Sequence, residues 1–313
     1  MDDVIAVVVE RDLGTPPERV DRITGGLLHE TYEVRCDGGR YVLQFESDAD
    51  DDRADSLARG VGCYRALQDA DVPVPDVVTT DGETPDGRAY ALVERPPGAS
   101  GERDVSRERT RAAGRVLARI HATFGFERAG WLDFEDRRPT VEPFEVSHAR
   151  RVRRSAAESA AALRDGGLDA AGHAVERLLD RPGDDLPTDV RPVLCHGDLS
   201  PDNVLFDAEA VTGVLDFDRA RAGGAGRDLA RAANAFWMHD PCTDWDPRRA
   251  LYDGYREERD PPAGFGQIEP FYRVETLATS VAGLLALDEL SSYERGFYDE
   301  RIREAVERAD GAG

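Results

Sequence analysis

The chain has 313 residues, enough for two lobes with separate cores, and a formal net charge of −23. All 40 basic residues are arginine, and so acidic a surface argues against nucleic acid or an anionic membrane as a partner. An acidic, lysine-free composition fits a protein of a high-salt cytoplasm, where self-repulsion is screened within a few ångströms, so the charge alone says little about substrate.

Taken in order, Val4–Val9 is an apolar run that reads either as a strand or as the buried face of a short helix. Thr15-Pro16-Pro17-Glu18 looks like a helix start. From Val20 the pattern changes to strands, with Asp37-Gly38-Gly39 as a hairpin turn between two of them. Gly25 and Gly26 permit close backbone approach, so Thr24–Glu30 reads as a flap over phosphates, the plainer alternative being an ordinary turn. A helix is expected over Arg53–Ala70, then a strand entered through the Pro-punctuated residues 72–80, a turn at residues 81–88, and a strand from Ala89. That strand runs into the connector Pro96-Pro97-Gly98, a natural seam. It gives an expected N-lobe of residues 1–95 and a C-lobe of residues 96–313.

Beyond Ser100 the pattern is helical. Val116, Leu117, Ile120 and Phe124 form one apolar stripe within Asp104–Phe124. His121 falls in that stripe, where a core histidine is the plain reading. Arg150–Arg164, whose charges suggest a solvated face, and Leu168–Leu179 read as further helices. A Gly-rich loop, Arg219–Gly226, leads to helices expected over Arg227–Met238, Pro247–Arg259, Ile268–Leu287 and Ser291–Ala309. Asp228 stands at the start of the first of these, in a position to cap it. Cys36, Cys63, Cys195 and Cys242 show no metal-site or redox spacing and fit reduced thiols, with Cys195 buried and inert. The acidic start lacks a basic leader and no apolar run approaches membrane-spanning length, so a cytoplasmic location is expected.

The stretch Val193–Asp218 carries the chemistry. Val193–Cys195 is a short apolar run followed by His196, Gly197 and Asp198, with Asn203 five positions after the Asp. Two apolar runs, Val204–Phe206 and Val211–Leu215, read as a hairpin, which brings Asn203 and Asp216 side by side. A hard Mg²⁺ ion takes oxygen ligands, with substrate phosphates and waters completing its shell, and these two residues supply them. The remaining carboxylate, Asp198, is then placed to orient an acceptor hydroxyl and take its proton. Asp218 either holds a second metal or hydrogen-bonds the loop.

The spelling H-G-D-L-S-P-D-N followed by D-F-D resembles the aminoglycoside phosphotransferase and choline kinase-like family rather than protein kinases. The resemblance implies an α+β, two-lobed protein kinase-like fold, with a small antiparallel-sheet N-lobe and a mainly helical C-lobe. It implies Asp198 as the catalytic residue, His196 as organiser of its loop, and Asn203 and Asp216 as metal ligands. ATP, with GTP left open, would be the donor and a small-molecule hydroxyl the acceptor. The backbone of the connector, at Glu94, would meet the base, Asp228 would brace the active-site loop, and a histidine is found in this family at the place of His121.

The chain departs from the family pattern at two places. The third strand of the family presents a basic residue to the phosphates, and Gln44 stands there. Its partner acid on the next helix falls at Gly60. An amide can donate to phosphate but brings no charge. Arg40 shares the face of Gln44 at roughly 13 Å along the strand, too far to replace it, which leaves Arg53 and Arg59 as helix-borne substitutes. Two rivals remain: a catalytically degenerate kinase-like protein that binds nucleotide or acts as a regulator, and a hydrolytic metal centre of His196, Asp198, Asp216 and Asp218. Between Asp218 and Arg227 there is no activation loop of the length a peptide substrate would use.

Overall fold

The computed structural model describes residues 2–23, 29–46, 56–181, 186–188 and 190–311. In chain order the elements begin with α1 (Asp2–Leu13), β1 (Arg19–Ile23), β2 (Glu30–Cys36), β3 (Gly39–Phe45), α2 (Ser56–Leu67), β4 (Val77–Glu83), β5 (Ala89–Glu94) and β6 (Ala99–Ser100). They continue through α3 (Arg107–Thr123), β7 (Gly130–Glu135), β8 (Arg138–Pro143), α4 (His148–Asp165), α5 (Asp169–Leu179) and β9 (Val193–Cys195). After β10 (Val204–Asp207), β11 (Ala210–Val214) and β12 (Arg221–Gly223) come α6 (Ala225–His239), α7 (Pro247–Glu258), α8 (Phe265–Ala286) and α9 (Ser292–Gly311). Among the described residues no helix is long and apolar enough to cross a membrane.

Two compact units result, the first made of Met1–Arg103, Leu132–Thr140 and Asp202–Ala220 and the second of Asp104–Trp131, Val141–Pro201 and Arg221–Gly313. The first thus runs past residue 95 and gathers two later segments, one of them the β10–β11 hairpin.

The first unit holds a five-stranded antiparallel sheet in the order β1-β2-β3-β5-β4. Asp37 and Gly38, at φ 48° and 75°, occupy the two left-handed positions of the β2–β3 turn, the backbone a two-residue hairpin requires. Strand alternation sends Tyr32, Val34, Leu43, Phe45 and Leu92 to one face, where Ile5, Val8 and Val9 cover them. The Val4–Val9 run is therefore helical, and each such side chain buried stabilises the unit by roughly 1.5–3 kcal/mol. On the opposite face Ala91 packs with Leu57 and Val61 of α2, and Gln44, paired with Ala91 across the ladder, shares that face.

Two local expectations need correction here. Thr15–Glu18 starts no helix: Pro16 precedes another proline and is held extended, and Glu18 N–H already donates to Arg35 O at 2.8 Å, beginning the β1–β2 ladder. The turn expected at residues 81–88 is shorter, because β4 continues to Glu83 and the reversal closes with Thr84 N–H on Arg88 O at 2.9 Å.

In the second unit α4, α5, α8 and α9 share a core that includes Val152, Leu163, Val175, Val281 and Ile302. The solvated face expected of Arg150–Arg164 is present at Arg154 and Glu158, but the helix also buries an apolar stripe. Val152, Ala156, Ala160 and Leu163 recur at helical spacing and are buried, a thin stripe that the surrounding charges obscure in the sequence. The loop expected at Arg219–Gly226 contains β12, which pairs with β9 through Arg221↔Cys195 and with β7 through Ala222↔Gly130.

Candidate active site

In the second unit β9 delivers the chain to His196, Gly197 and Asp198. Gly197 has φ 85°, a backbone that disfavours any residue with a Cβ, so the glycine of this motif is a steric requirement. Two consecutive peptides converge on one carboxylate: His196 N–H donates to Asp228 Oδ2 and Gly197 N–H to Oδ1, both at 3.0 Å. His121 Nε2 reaches the same Oδ2 at 3.1 Å, and its Nδ1 lies 2.9 Å from Tyr255 Oη. Burial pushes the Asp228 carboxyl up, but the His121 hydrogen bond and the charges of His121 and Arg221 outweigh it and hold the group well below the usual carboxylate range. An ionised carboxylate only accepts, so His121 Nε2 carries a proton. The N-cap of α6 is Gly224, and Asp228 is the brace of the loop rather than the cap.

The brace also orders the residues just beyond it. Asp198 N–H donates to His196 Nδ1 at 3.2 Å, which makes Nδ1 the acceptor and places the ring proton on Nε2. The Asp198 carboxylate is itself oriented, because Arg231 Nη2 donates to Oδ1 at 2.8 Å. His121, Cys195 and Asp228 bring potential ligand atoms within 4.8 Å of one another. They nevertheless form a packed brace: burial raises the Cys195 thiol well above its ordinary value, and the Asp228 oxygens are taken by peptide N–H groups.

In the first unit Val204 and Val214 open the β10–β11 ladder, and Leu215 N–H donates to Asn203 O at 2.9 Å. Asn203 and Asp216 therefore flank one end of the hairpin, as its pattern demanded. Asp216 adopts φ 59°, a left-handed backbone held by its N–H on Tyr64 Oη at 2.9 Å. Two residues on, Asp218 Oδ2 lies 2.8 Å from His29 Nε2, which is also 3.2 Å from Ser56 Oγ. Burial disfavours a charged His29, but the hydrogen bond and charge of Asp218, with Asp216 and Glu46 adding to them, raise its pKa.

The departure at Gly60 acquires a physical reason here. A Cβ at Gly60 would sit 2.6 Å from Asp218 Oδ1, so the Asp218 carboxylate fills the space that a helix side chain would take. Arg59 is committed to backbone, donating through Nη1 to Asp218 O at 2.8 Å and through Nε to Leu132 O at 3.4 Å. Gln44 faces α2, and a cavity of about 600 Å³ beside that helix is lined by Glu46, Leu57, Arg59, Ala91 and Phe134. Glu94 ends β5 with its N–H on Asp76 O at 2.8 Å. Gly25, Gly26 and Arg53 lie outside the described residues.

Sequence reasoning missed His29, Tyr64 and Arg231. Arg231 had a signal, since it lies three positions after Asp228 on one helix and so shares its face. His29 and Tyr64 had none, because only the fold brings them to Asp218 and Asp216.

Comparison with known proteins finds relatives in both sequence and fold. A homoserine kinase of Methylobacillus flagellatus is 30% identical over 244 residues, 76% of this chain and 70% of that kinase. An aminoglycoside 3'-phosphotransferase of Streptomyces ribosidificus is 30% identical over 191 residues, 60% of this chain and 65% of that enzyme. The fold matches the crystal structure of a thermostable mutant of the aminoglycoside phosphotransferase APH(4)-Ia in ternary complex with AMP-PNP and hygromycin B, with a TM-score of 0.61, 18% identity and 99% of each chain covered. A model of the phosphotransferase enzyme family matches residues 19–265, and with Asp198 on its braced loop and Asn203 and Asp216 on their hairpin, the chain belongs to that family.

Proposed function

We propose that the chain is a small-molecule kinase that moves the γ-phosphoryl group of ATP to a hydroxyl, with Mg²⁺ as cofactor. The observation that carries this reading is the Asp228 brace, which spends a buried carboxylate on holding the two peptides directly before Asp198. Asn203 and Asp216 offer the neutral and anionic oxygen donors that suit a hard divalent cation, and they are the residues that would hold it. When bound, that ion would neutralise charge on the transferring phosphate. Asp198 would orient the acceptor hydroxyl and accept its proton, while Arg231 fixes the carboxylate through Oδ1. Asp218, engaged by His29, would hold the metal loop in place. Catalysis of this type is mainly positioning and charge stabilisation.

The similarity to a homoserine kinase and to an aminoglycoside phosphotransferase makes an amino-acid hydroxyl and an amino-sugar hydroxyl the first two acceptors to try. The test is transfer of labelled γ-phosphate from ATP to each, with and without Mg²⁺. Metal-dependent transfer that falls by about 10²–10⁴-fold in Asp198→Asn supports the reading. Transfer indifferent to Asp198→Asn would overturn it. Gln44 favours a second reading, nucleotide binding without turnover, and Mg·ATP binding with no transfer to any acceptor would select it.

A further inference from the structure

The second unit contains a second polar site that the proposed chemistry does not use. A cavity of about 180 Å³ opens between α4, β9 and the start of α6, lined among others by Arg151, Arg154, Arg221, Arg227, His148 and Glu158. Four arginines line it in a protein whose net charge is −23, and the Asp228 carboxylate acts on one of them, Arg221. Glu158 lies 3.6 Å from Arg154, and Glu275 is engaged by Arg227 through bonds of 2.9 and 2.6 Å. Arg151 has no ion pair among the described residues; its guanidinium lies over the Phe144 ring, with Cζ 3.2 Å from the centroid. The α6 N-terminus at Gly224 also lines the cavity and has no side-chain cap.

We propose that this cavity is an oxyanion site, in which Arg151 and its neighbouring arginines bind a small carboxylate or phosphate group. A half-buried guanidinium without an ion pair, as at Arg151, is costly unless an anion neutralises it, and arginine is the side chain whose planar fork matches an oxyanion. Burial and the surrounding arginines lower the Arg151 guanidinium to about 9 and His148 to about 4. Arg151 is therefore still charged at neutral pH and His148 is not. The volume is below that of a drug-sized ligand site, so the cavity fits a small anion or the anionic end of a small molecule.

The site also has a place in the proposed reaction, and this part rests on the phosphotransferase reading. Arg231, which orients Asp198, is four residues, about 6 Å along the α6 axis, beyond Arg227. An acceptor held by its carboxylate here would present its hydroxyl toward Asp198, which selects hydroxy acids and disfavours polycationic amino sugars.

The test is calorimetric binding to the full chain, without nucleotide and at fixed ionic strength, of inorganic phosphate, L-homoserine and 3-aminopropan-1-ol, which is homoserine without its carboxylate. Phosphate and homoserine should bind and compete, the amino alcohol should not, and Arg151→Ala should weaken both anions at least tenfold. Arg151→Lys, which restores a cationic side chain without the planar fork, should recover only part of that loss, separating fork geometry from charge and packing. In turnover, Arg151→Ala should raise KM for the hydroxy acid about tenfold and change kcat less than threefold. Phosphate binding alone would leave the oxyanion site standing and make a free anion its occupant. Binding of neither anion, or affinities unchanged in Arg151→Ala, would overturn the proposal. Anion binding in a protein that transfers no phosphoryl group would remove the kinase reading and leave this site in place.

Discussion

Replacing Asp228 by Asn tests the brace with almost no change of shape. The carboxylate accepts from His196 N–H, Gly197 N–H and His121 Nε2 at 3.0, 3.0 and 3.1 Å. An amide offers one oxygen and turns its NH₂ toward the remaining donors, leaving one buried N–H without an acceptor and removing the charge from every bond. A charge-assisted bond contributes about 1.5–3 kcal/mol, and a buried orphaned donor costs about 1–3 kcal/mol. A loss of about 3–5 kcal/mol is expected, the range for breaking a buried ionic network on one side. The assay is urea unfolding of the full chain, paired with initial rates. Because the two peptides immediately precede Asp198, kcat should fall about 10²-fold while KM for ATP holds. The pH dependence gives a second reading. The folded-state pKa of Asp228 lies below its unfolded value, so its contribution is complete above the ordinary carboxylate range and is lost as pH falls below about 4. Wild type should lose stability there more steeply than Asp228→Asn. A variant within about 0.5 kcal/mol of wild type, with unchanged kcat, would refute the brace.

Gly60→Ala and His29→Ala both disturb the Asp218 carboxylate, the first by crowding Oδ1 and the second by removing the partner of Oδ2. Each should cost about 1–3 kcal/mol, less roughly 1 kcal/mol of helix propensity gained by Gly60→Ala. The double variant should fall short of their sum by at least about 0.5 kcal/mol in chemical denaturation, and strict additivity would show that the contacts are independent. His148 is held at about 4 by burial and by Arg227, Arg151 and Arg221. Its neutral form stabilises the fold fully above about pH 6.5, and that stability is lost as pH falls to about 4, a difference of about 3 kcal/mol. His148→Asn should flatten urea midpoints between pH 7 and 4.5; an unchanged slope would place the titration elsewhere. Finally, with a net charge of −23, Tm should rise in concentrated KCl as the Debye length shrinks from about 10 to about 3 Å, and a flat response would rule out self-repulsion as a destabilising force.

The parts legible in the sequence were those fixed by local chemistry. Asp37-Gly38 could be read because a two-residue hairpin turn demands left-handed backbone, and Asn203 with Asp216 because a hairpin brings its two flanks together. The α4 stripe of Val152, Ala156, Ala160 and Leu163 was hidden by its charged neighbours, since periodicity weakens when the apolar residues are small. Strand β12 was hidden for another reason. Arg221–Gly223 has no strand composition, and it pairs because β7 and β9 present open edges on both sides. His29 and Arg151 belong to the same category: a lone His and one Arg among many acquire meaning only from what the fold sets against them.

The joint departure at Gln44 and Gly60 shows how the two levels combine. Read from the sequence, the loss of a basic residue and its partner acid suggests a decayed site. Electrostatics treats a pair differently from its halves: removing one partner leaves a buried charge at a cost of about 3–5 kcal/mol, whereas replacing both with uncharged groups is often neutral. Loss of both together is thus the change a working fold tolerates. The space was not left open either, because the Gly60 backbone admits the Asp218 carboxylate, and His29 supplies a partner for it at 2.8 Å. Any Cβ at position 60 would crowd Asp218 Oδ1, so in this chain the glycine leaves room for that carboxylate. The missing pair is therefore weak evidence for a dead enzyme, and the weight rests on whether Asp198 can still accept a proton.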